Sequence, residues 1–273
     1  MRVAWMTDIH LNFLAHDRLF EFTEDIKVHK PDALFITGDI SEAPKVAEHL
    51  DLLDTMVRVP VYFVLGNHDF YHGSIKDVRE WATKVTDDGL NGLNWMPAKG
   101  VVSLSDEVAV VGVDGWGDGR YGNPRSSQIF LNDWMAIKEL RHRDPMSKDT
   151  HILRRIPMLN YLGDEEAKML REPLEAALAS DHKKVFVLTH VPPWDTATWY
   201  MGANSDPDWQ PWFSCRAVGD LIVELAAKHP DTEDTVLCGQ THGEGVTQVS
   251  DNVLAITGGA QYNNPKVNRV FEF

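Results

Sequence analysis

The chain has 273 residues, of which 43% are hydrophobic and 25% charged, a composition typical of a globular protein with a sizeable core. The formal net charge of −15 repels nucleic acid at long range and therefore favours a small substrate. The two cysteines are too few for a disulfide framework. We expect no signal peptide, because the first polar motif begins at residue 8, and the sequence contains no stretch of about 18 apolar residues. These features predict a cytoplasmic protein that does not cross a membrane.

Short apolar runs rich in β-branched residues predict buried strands. These runs are residues 3–6, 33–37, 61–65, 108–113, 185–189, 235–238 and 253–257. Amphipathic segments of helical length separate the first three runs and follow the third, at 15–29, 44–57 and 74–86. This β-α-β-α-β-α order predicts parallel strands joined by crossover helices.

The pattern changes after residue 88, where glycine-rich turns and closely spaced strand runs predict antiparallel hairpins. The same pattern returns from residue 246 to 273. We therefore expect two sheets, each covered by helices. Residues 115–178 are predicted to be a mostly helical insertion, with the clearest helix at 162–178, and residues 192–213 a tryptophan-rich loop folded over the rim of the sheets. Because the polar motifs described next run from residue 8 to residue 242, we expect one domain over residues 1–273.

Polar motifs follow five of the predicted strands. They are Asp8-Ile9-His10, Gly38-Asp39, Gly66-Asn67-His68-Asp69, His190, and Gly239-Gln240-Thr241-His242. Because the carboxyl ends of parallel strands share one rim of a sheet, we expect these side chains to lie close together. Carboxylate, imidazole and amide oxygen form a ligand set suited to Mn²⁺, Fe or Zn²⁺, and two such ions that share a carboxylate form a hydrolytic centre. Taken singly, each motif also fits a structural role, such as a carboxylate that caps the next helix.

The ordered set of motifs resembles that of the calcineurin-like metallophosphoesterase superfamily, whose pattern is Asp-x-His, Gly-Asp, Gly-Asn-His-Asp/Glu, His and Gly-His-x-His. The resemblance spans nearly the whole chain. It implies an α/β fold, a four-layer α-β-β-α sandwich with two mixed sheets. It also implies a cofactor of two divalent metal ions, with Mn or Fe favoured and Zn as the alternative.

The resemblance also implies roles for the motif residues. The first ion would be held by Asp8, His10 and His242, and the second by Asn67 and His190. Asp39 would bridge the two ions, and His68 would donate a proton or stabilise charge on the phosphate. Glu42 matches an acidic position that supports the catalytic histidine in relatives, and its alternative is a solvated residue at a helix start.

The last motif departs from the family pattern, because Gln240 stands where the family has a histidine ligand of the second ion. An amide can bind a metal only through its neutral carbonyl oxygen, which is a weaker donor than imidazole. The sequence therefore predicts a loosely held second ion. Binding of Gln240 to a metal through water, or its direct contact with the substrate, are the alternatives.

Three further residues are candidates for binding the substrate. Trp194 belongs to a group of tryptophans after His190, whose rings could stack on a base, a sugar or an aryl leaving group. Arg120 lies in a glycine-rich loop and Arg125 follows it, and either could form forked hydrogen bonds with a phosphate. Packing of the rings against the protein, and pairing of the arginines with acidic residues, are the alternatives.

These observations predict a metal-dependent phosphoesterase that hydrolyses a small phosphate mono- or diester, nucleotide-like or cyclic, through attack by a metal-bridging hydroxide. One alternative is a non-catalytic metal-binding or regulatory protein whose second metal site has decayed. A nuclease or a protein phosphatase of the same superfamily is another. The sequence carries no signal for an oligomeric state.

Overall fold

The computed structural model describes residues 1–141 and 148–273, without the side chains of residues 148–154. The strands are β1 (Arg2–Met6), β2 (Ala33–Thr37), β3 (Val61–Val64), β4 (Leu93–Trp95), β5 (Val102–Ser103), β6 (Val108–Gly112), β7 (Lys184–Leu188), β8 (Trp199–Tyr200), β9 (Ala203–Asn204), β10 (Glu233–Cys238), β11 (Gly245–Ser250), β12 (Val253–Thr257) and β13 (Arg269–Glu272). The α-helices are α1 (His16–Val28), α2 (Val46–Val57), α3 (Ile75–Asp88), α4 (Met96–Lys99), α5 (Asp133–Ala136), α6 (Lys148–Leu178), α7 (Gln210–Phe213) and α8 (Arg216–Ala226).

The first large sheet has the strand order β13-β1-β2-β3-β4. Strands β1 to β4 are parallel, as the alternation of strands and helices predicts, and β13 pairs with β1 antiparallel. The prediction of an antiparallel hairpin directly after residue 88 was wrong for β4, because helix α3 carries the chain back across the sheet before β4 begins. A crossover of this kind returns the next strand in the parallel direction.

The second large sheet has the strand order β11-β12-β10-β7-β6-β5. Its four inner strands are parallel, whereas the edge strands β5 and β11 pair antiparallel with β6 and β12. These two hairpins are the antiparallel pairs that the closely spaced strand runs predict. Both large sheets are therefore mixed, with parallel strands at the centre.

The two sheets pack face to face, and helices cover their outer faces. Alternate residues of β1 show this arrangement: Trp5 belongs to a core cluster built from both sheets, and Met6 belongs to the cluster with helices α1 to α3. Between the sheets, the rings of Phe35 and Phe186 lie 5.7 Å apart. A third cluster joins the second sheet to α6 and α8. The resulting α-β-β-α order confirms the predicted four-layer sandwich.

Helix α6 includes the predicted helix at 162–178 and covers the second sheet, with Leu170 and Leu174 fully buried. Residues 115–132, the first part of the predicted helical insertion, are irregular, and residues 142–147 lie outside the described part. Glycines explain the irregular segment, because Gly115, Gly119 and Gly122 all have positive φ angles that a helix does not allow. Although α6 is long, no helix among residues 1–141 and 148–273 is both long and apolar enough to cross a membrane.

Candidate metal centre

The polar motifs follow the carboxyl ends of strands from both sheets. Asp8, Asp39 and Asn67 come after β1, β2 and β3, whereas His190 and His242 come after β7 and β10. Hydrogen bonds join the loops of the two sheets: the Gln240 amide donates to Asp8 Oδ1 over 3.1 Å, and His190 Nδ1 contacts the Thr37 carbonyl over 2.9 Å. The strand ends of the two sheets therefore form one rim.

Several motif residues have a left-handed backbone conformation, which non-glycine residues rarely adopt. They are Asp8 (φ 50°), His10 (φ 42°), Asp39 (φ 52°), Gln240 (φ 70°) and His242 (φ 59°). Such positions cost about 1–3 kcal/mol each and cluster at functional sites. Here they allow β1, β2 and β10 to be followed by sharp turns that direct these side chains towards the rim.

The first group of ligand atoms comes from Asp8, His10, Asp39 and His242, and all of these atoms lie within 4.8 Å of one another. The Nε2 atoms of His10 and His242 are 3.3 Å apart. His242 Nε2 lies 3.4 Å from Asp8 Oδ1, and His10 Nε2 lies 3.7 Å from Asp39 Oδ2. Two carboxylates and two imidazoles at this spacing can hold one divalent cation.

Burial sets the charge state of this group. It raises the pKa of Asp39 well above its usual value, and the nearby Asp8 carboxylate raises it further. Burial also favours the neutral form of Asp8, but the hydrogen bond from His242 and the charges of the surrounding histidines hold its pKa below the usual range. Burial lowers the pKa of His10 to about 3, so this imidazole is neutral and can donate its lone pair to a metal.

The second group of ligand atoms contains two buried hydrogen-bond acceptors that have no partner. His190 Nδ1 contacts the Thr37 carbonyl over 2.9 Å and must donate its proton there, which leaves a lone pair on Nε2. His190 Nε2 and Asn67 Oδ1 are both buried and have no hydrogen-bond partner. Leaving buried acceptors unpaired is costly, and a cation would satisfy both. Asp39 Oδ1 lies 3.4 Å from His190 Nε2, so the same carboxylate also faces this group.

Gln240 lies at the same rim. Its backbone amide donates to Asp8, with 3.1 Å to Oδ1 and 3.2 Å to Oδ2, and its side chain lines the cavity described below. The preceding Gly239 is required by close packing, because a Cβ atom there would lie 2.1 Å from Asp8 Oδ2. The structure thus brings Gln240 to the expected place, and its binding to the second ion stays a prediction.

His68 lies beside the ligand groups. Its backbone amide donates to Asp39 Oδ1 over 2.9 Å, its ring stacks on Tyr71 with centroids 4.2 Å apart, and its Nδ1 atom is buried without a partner. Burial, reinforced by the charge of His190, lowers the pKa of His68 to about 4. The imidazole is therefore neutral and held in place at the edge of the cavity described below.

Asp133 is a functional candidate that the sequence analysis missed. Its Oδ1 atom accepts hydrogen bonds from Asn67 Nδ2 over 2.9 Å and from the Tyr71 hydroxyl over 2.6 Å. These bonds fix the Asn67 amide so that its carbonyl oxygen remains available. No motif surrounds Asp133, which begins the short helix α5 far along the chain, so the sequence gives no local signal for this contact.

Glu42 does not contact His68. The nearest described partner of its carboxylate is His72 Nε2, 3.9 Å away on the exposed side of the loop. Its side chain is 29% exposed, and its role in supporting the catalytic histidine stays a prediction.

The three predicted substrate-binding residues also lie elsewhere. Arg120 pairs with Asp118 Oδ2 over 2.9 Å and with Asp164 Oδ1 over 2.8 Å. Trp194 is buried in the core cluster beneath the second sheet, and Arg125 is exposed on the surface. None of the three lines the cavity beside the ligand groups, so the geometry favours the packing and ion-pair alternatives.

A cavity of about 510 Å³ adjoins the rim. Part of its lining is polar and includes Asp39, Asn67, His68 and His242. The other part is mainly aromatic, formed by Tyr71, Phe130, Tyr200, Trp209, Phe213 and Tyr262. The predicted tryptophan-rich loop thus runs along the rim, but it presents Tyr200, Trp209 and Phe213 to the cavity instead of Trp194.

The family model of the calcineurin-like phosphoesterases matches residues 1–223. The chain belongs to the calcineurin-like phosphoesterase family. Enzymes of this family are metallophosphoesterases that typically bind a dinuclear metal centre, and the group formed by Asp8, His10, Asp39 and His242 is a candidate for such ligands.

Solved structures share the fold of this chain. A dimetal phosphatase from Danio rerio superposes with a TM-score of 0.60 and 14% identity, over 97% of this chain and 89% of the other. The phosphopantetheinyl hydrolase from Mycobacterium tuberculosis superposes with a TM-score of 0.62 and 13% identity, over 96% of this chain and 89% of the other. At these identities the likeness concerns the fold.

The chain is also similar to a UDP-2,3-diacylglucosamine hydrolase from Shewanella pealeana. The two are 34% identical over an alignment of 84 positions, and the match covers 27% of this chain. The match spans only 35% of the length of that relative.

Proposed function

We propose that the phosphoesterase hydrolyses a small phosphate mono- or diester with two divalent cations held at the rim. The observation that carries this proposal is the position of Asp39. Its Oδ2 atom lies 3.7 Å from His10 Nε2 and its Oδ1 atom lies 3.4 Å from His190 Nε2. One carboxylate therefore faces both ligand groups, as a residue that bridges two ions must.

The ligand assignment follows from the same distances. The first cation would bind Asp8, His10, Asp39 and His242, and the second would bind Asp39, Asn67 and His190, with Gln240 as a weaker ligand. Nitrogen and oxygen donors without a thiolate favour Mn or Fe, with Zn as the alternative. When bound, such cations activate water and neutralise charge on phosphoryl oxygens.

His68 would supply the remaining chemistry. Its ring is held by stacking on Tyr71, borders the cavity, and has a buried nitrogen without a partner. From this position the neutral imidazole would donate an N–H hydrogen bond to an oxygen of the ester and so stabilise its charge. Glu42, which faces His72, has no part in this proposal.

The charge of the protein supports a small substrate. A net charge of −15 opposes the approach of a nucleic acid, whereas a single phosphate requires only the local positive charge of two cations. The short match to a UDP-2,3-diacylglucosamine hydrolase agrees with a phosphoester substrate and leaves its alcohol undefined.

The test uses purified protein loaded separately with Mn²⁺, Fe²⁺ and Zn²⁺. We expect hydrolysis of p-nitrophenyl phosphate, of bis-p-nitrophenyl phosphate, or of both, and two ions per chain by elemental analysis. Chelation should abolish the activity, and added metal should restore it. A protein that holds its ions but hydrolyses neither compound with any metal would be a metal-binding protein without this activity.

A further inference from the structure

Exposed aromatic rings are concentrated around one cavity of the described chain. Phe130, Tyr200, Trp209 and Tyr262 are between 38% and 52% exposed, and all four line the cavity beside the ligand groups. Large exposed rings scattered singly need no explanation, but a contiguous group marks a binding surface. The group is also continuous with the rim, because the Tyr262 ring lies 4.6 Å from that of His10 and 5.0 Å from that of His242.

The charged groups in this cavity are unfavourable for a second anionic group. The described lining contains the carboxylates of Asp39, Asp133 and Asp206 and no lysine or arginine. Asp39 belongs to the ligand groups, and Asp133 is occupied by hydrogen bonds with Asn67 and Tyr71. Asp206 is exposed, and only its Oδ1 atom is used, to accept from the Asp208 amide over 2.9 Å. A ligand on the aromatic side would therefore meet the exposed carboxylate of Asp206, whereas the buried Arg155 lies outside the lining against the Phe130 ring, with its guanidinium 5.5 Å from the ring centroid.

The size of the cavity fits a small ring. At about 510 Å³ it lies in the range of pockets that enclose small organic ligands, and it holds the ligand groups as well as the aromatic lining. Trp209 and Phe213 are packed together with ring centroids 5.1 Å apart. Contact with Phe213 therefore holds the Trp209 ring in place, where a flat group can stack on it. Stacking on such a ring commonly strengthens binding of a flat group by about tenfold.

We infer that the aromatic side of this cavity is a subsite for the alcohol part of the substrate, and that it selects a flat, uncharged ring. The inference rests on the proposed phosphoesterase function, because it places the phosphoryl group at the rim. The substrate class is accordingly an aryl, arylalkyl or nucleoside-like ester that bears no anionic group on its ring.

Binding of phosphonates to Mn²⁺-loaded protein tests the subsite independently of turnover. Calorimetry should show that 2-phenylethylphosphonate binds about tenfold more tightly than ethylphosphonate, and several-fold more tightly than 2-cyclohexylethylphosphonate. Equal affinity for the phenyl and ethyl compounds would disprove the subsite. Equal affinity for the phenyl and cyclohexyl compounds would disprove selection of a flat ring.

Single substitutions test which residues cause the tighter binding of the phenyl compound. Trp209→Ala should remove most of the tenfold gain for the phenyl compound and leave ethylphosphonate unchanged, and Phe130→Ala should act in the same direction. The matched control is Tyr161→Ala, which removes an exposed ring on α6 that does not line the cavity. If both cavity variants fold, by circular dichroism, and keep the full preference, the rings do not form the subsite.

A carboxylate on the ring tests the charge argument. 2-(4-Carboxyphenyl)ethylphosphonate should bind less tightly than the phenyl compound, and Asp206→Asn should recover part of the loss while keeping the side-chain oxygen that accepts from Asp208. Tighter binding of the carboxylated compound to the unchanged protein would contradict the inference.

Measurements of turnover distinguish a failure of the subsite from a failure of the proposed hydrolysis. If 2-phenylethyl phosphate and ethyl phosphate are hydrolysed with equal KM, and the phosphonates also bind equally, only the subsite is wrong. If the phosphonates show the expected preference but no phosphate ester is hydrolysed, the subsite stands and the proposed hydrolysis is wrong.

Discussion

Asp133 Oδ1 accepts a hydrogen bond from Asn67 Nδ2 over 2.9 Å, although the two residues are 66 positions apart in the chain. The contact uses the amide nitrogen of Asn67 and leaves its carbonyl oxygen buried without a partner. A carboxylate outside the ligand groups thus determines which atom Asn67 offers to a metal. Outer groups of this kind commonly change metal affinity by about 10- to 100-fold.

Replacement of Asp133 by alanine should therefore weaken the second cation while sparing the first. We expect the metal content of Asp133→Ala to fall from two ions towards one per chain at limiting metal, measured by elemental analysis after dialysis. The matched control is Asn132→Ala, which changes the exposed neighbour that lines the same cavity. Two tightly held ions in Asp133→Ala would show that Asn67 does not need this orientation.

Replacement of His68 should reduce kcat without loss of metal, whereas replacement of Asp39 should reduce both. His68→Ala should keep both ions and lose about 10²- to 10⁴-fold in kcat on p-nitrophenyl phosphate, because in the proposed function the imidazole contacts an oxygen of the ester and is not a metal ligand. The control is His72→Ala, since His72 lies on the exposed side of the same loop, with 60% of its side chain accessible. Undiminished kcat in His68→Ala would remove this residue from the mechanism.

Asp39→Ala should lose both metal and activity, because this carboxylate faces both ligand groups. Elemental analysis should find fewer than one ion per chain, while circular dichroism confirms the fold. Retention of both ions would rule out the bridging role of Asp39.

Gln240→His should strengthen the second metal site. The amide stands where family members carry an imidazole, and the residue already lies at the rim with a backbone amide bound to Asp8. We expect about tenfold tighter binding of the second ion by Mn²⁺ titration, because imidazole is the stronger donor. Gln240→Ala provides the comparison: if it binds the second ion as well as Gln240→His does, position 240 does not contribute a ligand.

The buried carboxylate of Asp234 should make the free energy of unfolding depend on pH. Both of its carboxylate oxygens are buried without partners, and burial raises its pKa from 3.8 to about 7. Between these values the folded chain keeps a proton that the unfolded chain releases, so the free energy of unfolding falls as pH rises from about 4 to 7 and stays low above it. Removing the charge should therefore stabilise the protein at pH 8 and not at pH 4.

Urea unfolding of Asp234→Asn at both pH values measures this effect. We expect a gain of up to about 4 kcal/mol at pH 8. The control Asp231→Asn changes an exposed carboxylate three positions earlier and should have little effect at either pH. An equal gain for Asp234→Asn at pH 4 and pH 8 would show that ionisation is not its cause.

Much of the fold and of the ligand set follows from short-range sequence patterns. Each central strand contains a contiguous apolar run, because parallel strands are buried on both faces, and each ligand motif stands within four residues of a strand end. Strand direction then brings Asp8 and Asp39 to one rim, and the packing of the second sheet adds His190. The four-layer arrangement was predicted through the family resemblance and is confirmed.

The cavity could not be predicted in the same way. Its lining comes from irregular segments, where no period of two or 3.6 residues indicates which side chains point inward. Trp194 and Trp209 are equally plausible in the sequence, yet one is in the core and the other lines the cavity. The contact between Asp133 and Asn67 depends on how the irregular segment before α5 folds back, which no local pattern encodes.

The origin of the ligands in both sheets determines when the metal site can be assembled. Asp8, Asp39 and Asn67 follow strands of the first sheet, whereas His190 and His242 follow strands of the second. During synthesis the first sheet could begin to form with only part of a coordination sphere. In the proposed centre, each ion would gain its full set of donors only when the two sheets have docked, so acquisition of metal would be a late step that reports completed folding.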